Sequence, residues 1–358
     1  MDAKERVILA GLNTRSGESS SDSTMDELEA LVETAGGTAL ARVIQQRDTP
    51  DTKFFIGEGK AEEIALLCGA LEADTVVFDN DLSPSQTRAL EELLGVPVVD
   101  RSLLILDIFA DRAQSREGRV QVELARLKYI LPRLTGKGVQ MSRLGGGGGG
   151  SGGARRGAGE TRLETDRRHI RARIDKLSRD LEEIRRTRQV QRRQRQKNEI
   201  PTVALIGYTN AGKSTLLNLL CRESIQAKNR LFDTLDTTTR RWRIDAGQTV
   251  LLSDTVGFIR KLPHHLIEAF RSTLEELACA SLLLHVIDLS HPEWAEQSDV
   301  VDSLVTQLGA QQIPCLRLYN KADLVEADIL PGGIIFSART GAGTDELAAA
   351  VKAALAGV

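Results

Sequence analysis

Aromatic residues are scarce in this chain: Trp, Tyr and Phe together make up 4% of 358 residues. A surface that reads nucleic-acid bases by stacking them on rings is therefore not expected. The four cysteines, Cys68, Cys221, Cys279 and Cys315, lie far apart, and no pair has metal-ligand spacing or suggests a disulfide framework. Isolated cysteines in apolar stretches are expected to be small core residues. No apolar run approaches the ~18 to 20 residues of a membrane span. The N-terminal stretch MDAKERVILAGLNTR is too short in its apolar part for a signal peptide and has no cleavage pattern. These absences predict a reduced, soluble, cytoplasmic protein. The formal net charge is only -3, which taken whole argues against a nucleic-acid partner.

Split by segment, the charge reads differently. Residues 111–200 hold 24 Lys and Arg against 11 Asp and Glu, a net +13, between a net -12 over 1–110 and a net -4 over 201–358. A basic block of this kind is the electrostatic footprint of a phosphate backbone. The length suits two domains at about 150 residues each, or three if some are small, and the apolar share of 41% is enough for packed cores.

Over residues 1–112 strand-like and helix-like stretches alternate. Strands are expected at Val7–Leu12, Thr38–Ile44, Phe54–Ile56, Asp74–Asp79 and Val96–Val99, with helices at Met25–Glu33 after Ser23 and Thr24, at Ala61–Leu71, at Ser83–Leu94 with Ser83 as cap, and at Leu103–Ala110. Such alternation predicts a parallel α/β domain. Gly57-Glu58-Gly59-Lys60 fits no phosphate motif and reads as a strand–helix turn.

Over residues 113–197 the pattern becomes heptad. Val120, Leu124, Leu127, Leu131 and Leu134 form one seam, and Leu163, Ile170, Ile174, Leu177, Leu181 and Ile184 a second. Two such helices pack most simply as an antiparallel hairpin. Its faces are Arg-rich, as at Arg167-Arg168, Arg185-Arg186 and Arg192-Arg193. The segment between them, with Gly145–Gly150 and a tip running to Gly159 that carries Arg155 and Arg156, is expected to be mobile in the free protein and to order on RNA.

Over 198–358 the motifs specify chemistry. The apolar strand Val203–Ile206 runs into Gly207-Tyr208-Thr209-Asn210-Ala211-Gly212-Lys213-Ser214 and then a helix, Ser214–Leu220. This is a G-x-x-x-x-G-K-S/T phosphate loop in the strand–loop–helix setting it needs. Its backbone N–H groups suit phosphate oxygens, Lys213 would reach the β- and γ-phosphates, and Ser214 would ligate magnesium. Asn320-Lys321-Ala322-Asp323 follows the strand Cys315–Tyr319. The Asp323 carboxylate would accept from the guanine N1–H and 2-amino group, a pairing adenine lacks, so the base is expected to be guanine. Ser337-Ala338-Arg339, after Ile334–Phe336, would buttress the base through backbone N–H. Asp254-Thr255-Val256-Gly257 matches D-x-x-G, with Asp254 on magnesium through water and the Gly257 N–H on the γ-phosphate. Phe232-Asp233-Thr234-Leu235-Asp236 lies where a first switch belongs, and Thr234, Thr237, Thr238 and Thr239 are its candidate metal-ligating threonines. Position 258, where many GTPases carry a water-orienting glutamine, is Phe258. Asn210 is a candidate ligand for potassium, which would supply positive charge to the reaction. His264 and His265 read as structural or RNA-contacting.

The chain resembles the HflX family of translation-associated GTPases over nearly its whole length. The resemblance is carried by Gly57–Lys60, Val120–Gly136, Arg156–Glu160, Leu163–Arg168, the phosphate loop, Phe232–Asp236 and Asp254–Phe258, with Ala158 where the family has proline and a longer glycine run than usual. It implies a monomeric chain that uses GTP and Mg2+, binds the large ribosomal subunit and its rRNA through the basic hairpin, and splits or rescues stalled ribosomes. It implies no DNA partner. It also selects Thr234 as the magnesium-ligating, γ-phosphate-sensing threonine, so that Lys213, Thr234, Gly257 and Asn210 would carry catalysis. A large-subunit assembly GTPase and a nucleotide-regulated RNA-binding or remodelling protein, with weaker use of ATP, are the alternatives.

Overall fold

The computed structural model describes residues 4–14, 21–134, 158–197, 200–221, 231–232, 235, 238–245, 247–262, 266, 277–325 and 333–356. The chain forms two compact units, Met1–Asp107 with Arg119–Ile184, and Ile108–Gly118 with Arg185–Val358.

The first unit holds a four-stranded, wholly parallel sheet of β1 (Arg6–Asn13), β2 (Thr38–Gln46), β3 (Thr75–Phe78) and β4 (Val98–Asp100), in the order β2-β1-β3-β4. The central β1 and β3 are near-continuous apolar runs because both faces are covered. The helices are α1 (Asp22–Thr34), α2 (Glu58–Leu71), α3 (Pro84–Leu94) and α4 (Arg101–Arg112). Ser83 caps α3 in a capping box with Gln86, as its sequence predicts. At α1 the cap is Ser21, upstream of the expected Ser23 and Thr24, because Thr24 serves as the third helical residue and its hydroxyl accepts the Ser21 N–H at 2.9 Å.

The expected strand Phe54–Ile56 is instead a turn. The Asp51 Oδ1 accepts the amides of Lys53 (2.8 Å) and Phe54 (3.1 Å), and Phe55 adopts a φ of 67° that no strand tolerates. The cysteines also divide: Cys68 is buried, but Cys279 and Cys315 are exposed rather than core residues. Cys279 sits in a short 3-10 turn and Cys315 opens a strand, where side chains face solvent.

The hairpin pairs α5 (Arg116–Ile130) with α6 (Ala158–Lys197). The two seams meet as expected, in a cluster of Leu124, Leu127, Leu134, Ile170, Leu177 and Leu181. The first helix stops earlier than its heptads, since Pro132 has no amide to give and the chain tightens into a 3-10 turn over Leu131–Arg133. Ala158 and Gly159, expected in the glycine-rich tip, already belong to α6; the rest of the tip, from 145 to 157, lies outside the described residues.

The hairpin root is locked to the α/β domain. Asp100, at the end of β4, takes hydrogen bonds from the Tyr129 hydroxyl, from Arg133 at 3.2 Å and from the Leu103 amide at 2.9 Å. Arg133 also donates to the Leu82 carbonyl at 2.7 Å and lies over the Tyr129 ring. Burial pushes the Tyr129 hydroxyl far above the usual phenol range and raises the Asp100 carboxyl.

The second unit carries a six-stranded sheet of β5 (Thr202–Gly207), β6 (Thr238–Arg243), β7 (Thr249–Asp254), β8 (Leu282–Asp288), β9 (Cys315–Asn320) and β10 (Ile334–Ile335), in the order β10-β9-β8-β5-β7-β6, parallel except for β6. With α7 (Lys213–Cys221), α8 (Trp294–Gln307) and α9 (Thr344–Ala356) it makes a doubly wound α/β fold. Strand order reverses at β5/β8, and the phosphate loop leaves the carboxyl end of β5 there, where ligands of open sheets bind. Among the described residues no helix is long and apolar enough to cross a membrane.

Candidate active site

The phosphate loop joins β5 to α7, and a helix start of this kind turns its first N–H groups toward an anion. Asn210 sits at φ 63° and Gly212 at φ 97°, which folds the loop into a cradle. A Cβ on Gly212 would lie 2.2 Å from the Asn320 amide nitrogen, so only glycine lets the two loops touch. That Asn320 side chain joins three segments. Its Nδ2 donates to the Ala211 carbonyl at 2.7 Å, and its Oδ1 accepts the Ala338 N–H at 2.9 Å. The phosphate loop, the Asn320–Asp323 loop and the Ser337–Arg339 loop are thereby one connected body. Within it Asp323 accepts a 2.6 Å bond from Ser337 Oγ, and Lys321 pairs with Asp288 at 2.6 Å. Ala322 follows in a 3-10 turn, and Arg339 points to solvent.

Lys213 is buried and its ammonium donates to the carbonyls of Gly207 (3.0 Å) and Tyr208 (2.8 Å). Burial pulls its pKa down to about 8, against the opposing pull of the Asp254 charge. Ser214 Oγ donates to Asp254 Oδ2 at 2.7 Å, which brings a hydroxyl and a carboxylate together at the end of β7. Thr255 Oγ1 is spent on the Leu205 carbonyl at 2.6 Å, and Val256 is buried.

The segment after Asp254 lies across the phosphate loop. The Thr209 N–H donates to the Phe258 carbonyl at 2.7 Å, and the Phe258 N–H to the Gly207 carbonyl at 3.1 Å. Gly257 is pressed so close that an added Cβ would meet Thr209 Cα at 2.9 Å. The Tyr208 hydroxyl accepts the Arg260 amide at 2.8 Å, and the Arg260 guanidinium pairs with Glu293 (2.8 Å) and Glu296 (3.1 Å) at the start of α8. Sequence reading did not find this tie, because nothing in the spacing of Tyr208 and Arg260 signals contact.

Of the first-switch residues, Phe232 is buried at φ 56°, edge-to-face with Phe109 at 4.7 Å, and Leu235 is buried. Asp233, Thr234 and Asp236 lie outside the described residues, as do Thr237, His264 and His265. Thr238 and Thr239 belong to β6, and Thr239 Oγ1 lies 3.4 Å from Ser253 Oγ.

Comparison with known proteins agrees with this site. Three family models match in succession: "GTP-binding GTPase N-terminal" over residues 22–110, "GTP-binding GTPase Middle Region" over 112–195, and "50S ribosome-binding GTPase" over 202–321. The GTPase HflX of Caldanaerobacter subterraneus is 48% identical over 353 residues, covering 98% of this chain and 80% of that protein. This chain belongs to the HflX GTPase family. The Escherichia coli HflX is 43% identical, covering 99% of this chain and 84% of its own length. Among solved structures, the complex of SsGBP with GDP is similar at 25% identity and a TM-score of 0.53, covering 98% of both chains. Like the rest of the HflX family, the chain is a GTP-binding, GTP-hydrolysing enzyme.

Proposed function

We propose that this chain is a GTP-driven switch that binds the large ribosomal subunit and splits or rescues stalled ribosomes. The observation that carries the reading is the hairpin. It is basic, it is rooted in the α/β domain through Tyr129, Arg133 and Asp100, and it exposes Arg168, Arg171, Lys176 and Arg179 along α6. Membership of the HflX family and the match to a 50S ribosome-binding GTPase model support the same partner. A basic helical hairpin would recognise RNA through phosphates and shape, in keeping with the few aromatic residues.

In this reading the guanine base is held by Asn320, Lys321, Ala322 and Asp323, with Ser337, Ala338 and Arg339 behind it. Gly207 through Ser214 cradle the phosphates, and Lys213 turns from the loop carbonyls to the β- and γ-phosphates. Asp254 through Gly257 report the γ-phosphate, and Phe232 through Asp236 form the first switch. Magnesium fits the oxygen donors that meet at Ser214 and Asp254. Ser214 and Thr234 would hold it, with Asp254 through water, and it would neutralise charge on the β- and γ-phosphates. Asn210, exposed in the loop, would be the ligand for potassium; equal turnover in sodium and potassium chloride would remove that role. The γ-phosphate would order both switches, and the ordered state would be the one that binds RNA.

Cosedimentation with ribosomes in the presence of a GTP analogue, GDP or no nucleotide tests the switch, using the wild type and a deletion of Gly145–Gly153. Binding is expected with the GTP analogue and is expected to weaken on deletion. Equal binding in all nucleotide states, or no loss on deletion, would contradict the proposal. Binding to precursor particles without splitting of intact ribosomes would favour an assembly role.

A further inference from the structure

We propose that Thr209 is a catalytic residue, whose hydroxyl orients the attacking water in place of the glutamine that position 258 lacks. The proposal rests on the reading above, in which Lys213 and Gly257 meet the γ-phosphate.

Phe258 is 2% exposed, offers no polar side-chain atom, and has its backbone N–H and carbonyl engaged by Gly207 and Thr209. Another group must hold the water. Thr209 is 6% exposed, and its Oγ1 is buried without a hydrogen-bond partner. An unpaired buried hydroxyl carries a desolvation cost that a small rotation toward a carbonyl normally removes. A buried hydroxyl left in this way calls for a use, and a catalytic role is one such use.

The surroundings of Thr209 identify the use. A Cβ built on Gly257 would lie 2.9 Å from Thr209 Cα, 2.9 Å from Thr209 Cγ2 and 3.1 Å from Lys213 Nζ. Gly257 thus packs against the backbone and methyl of Thr209, with the Lys213 ammonium beside the same point. Three neighbouring hydroxyls are engaged: Tyr208 Oη by the Arg260 amide, Thr255 Oγ1 by the Leu205 carbonyl, and Ser214 Oγ by Asp254. The buried Thr209 hydroxyl, beside Gly257, has no such bond.

The chemistry balances without a protein base. The water oxygen forms a bond to the γ-phosphorus, and the bond from that phosphorus to the β–γ bridging oxygen breaks. Its electron pair leaves with GDP, and the water proton passes to an oxygen of the released phosphate. Thr209 Oγ1 accepts a hydrogen bond from the water and fixes its line of approach; it gains and loses no proton.

Two substitutions test this, Thr209→Val, which keeps the shape and removes the hydroxyl, and Thr209→Ser, which keeps the hydroxyl. Single-turnover hydrolysis of bound GTP is expected to fall roughly 10- to 100-fold in T209V and to stay within about threefold of wild type in T209S. Affinity for GDP and for a non-hydrolysable GTP analogue should stay within about threefold in both. The wild type and T209S should form a complex with GDP and aluminium fluoride, and T209V should not. A T209V protein that hydrolyses at the wild-type rate overturns the proposal. So does a T209S protein as slow as T209V, or a T209V protein whose analogue affinity falls in step with its rate. Lys213→Ala is the separate control: undiminished hydrolysis there would overturn the placement of the γ-phosphate itself, whatever Thr209 does.

Discussion

The Lys213 ammonium, buried and held by two loop carbonyls, titrates at about 8 in the free site. A phosphate beside it favours the charged form and raises that pKa. Binding therefore takes up a proton once the free amine has lost it, and affinity is full below pH 8 and falls as pH rises through it. GDP affinity measured between about pH 7 and 9.5 should show this decline, and a flat profile would place the phosphates elsewhere. At the other end of the site, Asp323→Asn replaces a carboxylate acceptor with a side chain that also donates. GTP affinity is expected to drop roughly 10- to 100-fold, the size of a hydrogen bond to a charged group, and xanthosine triphosphate, with a carbonyl at the 2-position, should lose less. Competition binding with both nucleotides checks this. These residues were legible in the sequence because each motif is local and its chemistry is fixed by residue type. What Asn320 does was not legible, since its partners at Ala211 and Ala338 are far away in sequence and only the fold brings them together.

At the scale of elements, the hairpin root is the contact whose loss should cost most. Asp100 is buried and receives bonds from Tyr129, Arg133 and the Leu103 amide. Asp100→Ala leaves those donors unpaired in a dry setting and is expected to destabilise the protein by about 3 kcal/mol or more. Leu177→Ala, in the middle of the helix seam, should cost about 2 to 4 kcal/mol through the cavity it leaves. Denaturant unfolding of both variants measures the difference, and Asp100→Ala with wild-type stability would mean that the root is not locked. Heptad spacing announced the seam, because two helices that bury a stripe must repeat it. The same reading overran the first helix, where Pro132 ends it, and took Phe54–Ile56 for a strand, where the Asp51 carboxylate gathers two amides into a turn. β6 went unread, since TTRRWR buries little beyond Trp242 and has no strand-like alternation of apolar residues. Only at Asp51 did a local polar contact override an apolar pattern; the helix end follows from proline's missing amide, and β6 had no apolar pattern to read.

For the whole molecule, the uneven charge sets the expected behaviour on RNA. The basic stretch over 111–200 lies between acidic stretches in the sequence, so it is the part of the chain expected to be drawn to a polyanion. Ribosome binding in the GTP state should weaken steeply with salt, by roughly a thousandfold or more between 50 and 200 mM if six or more phosphates are neutralised. Replacing Arg168, Arg171 and Lys176 together with alanine should flatten that dependence while GTP affinity stays unchanged. Sedimentation across a salt series reads both, and an unaltered slope would move the contact off α6.

The Asn320 side chain carries a consequence for release of the product. Its two hydrogen bonds tie the Gly207–Ser214 loop to the Ser337–Arg339 loop, so on the proposed reading a movement at one end of the nucleotide would be felt at the other. A ribosomal contact that shifted Ser337–Arg339 by a fraction of an ångström would strain the cradle at Ala211 without approaching a phosphate. On the proposed reading, exchange of GDP for GTP would then be open to control from the base side, by a surface remote from the hydrolysis chemistry.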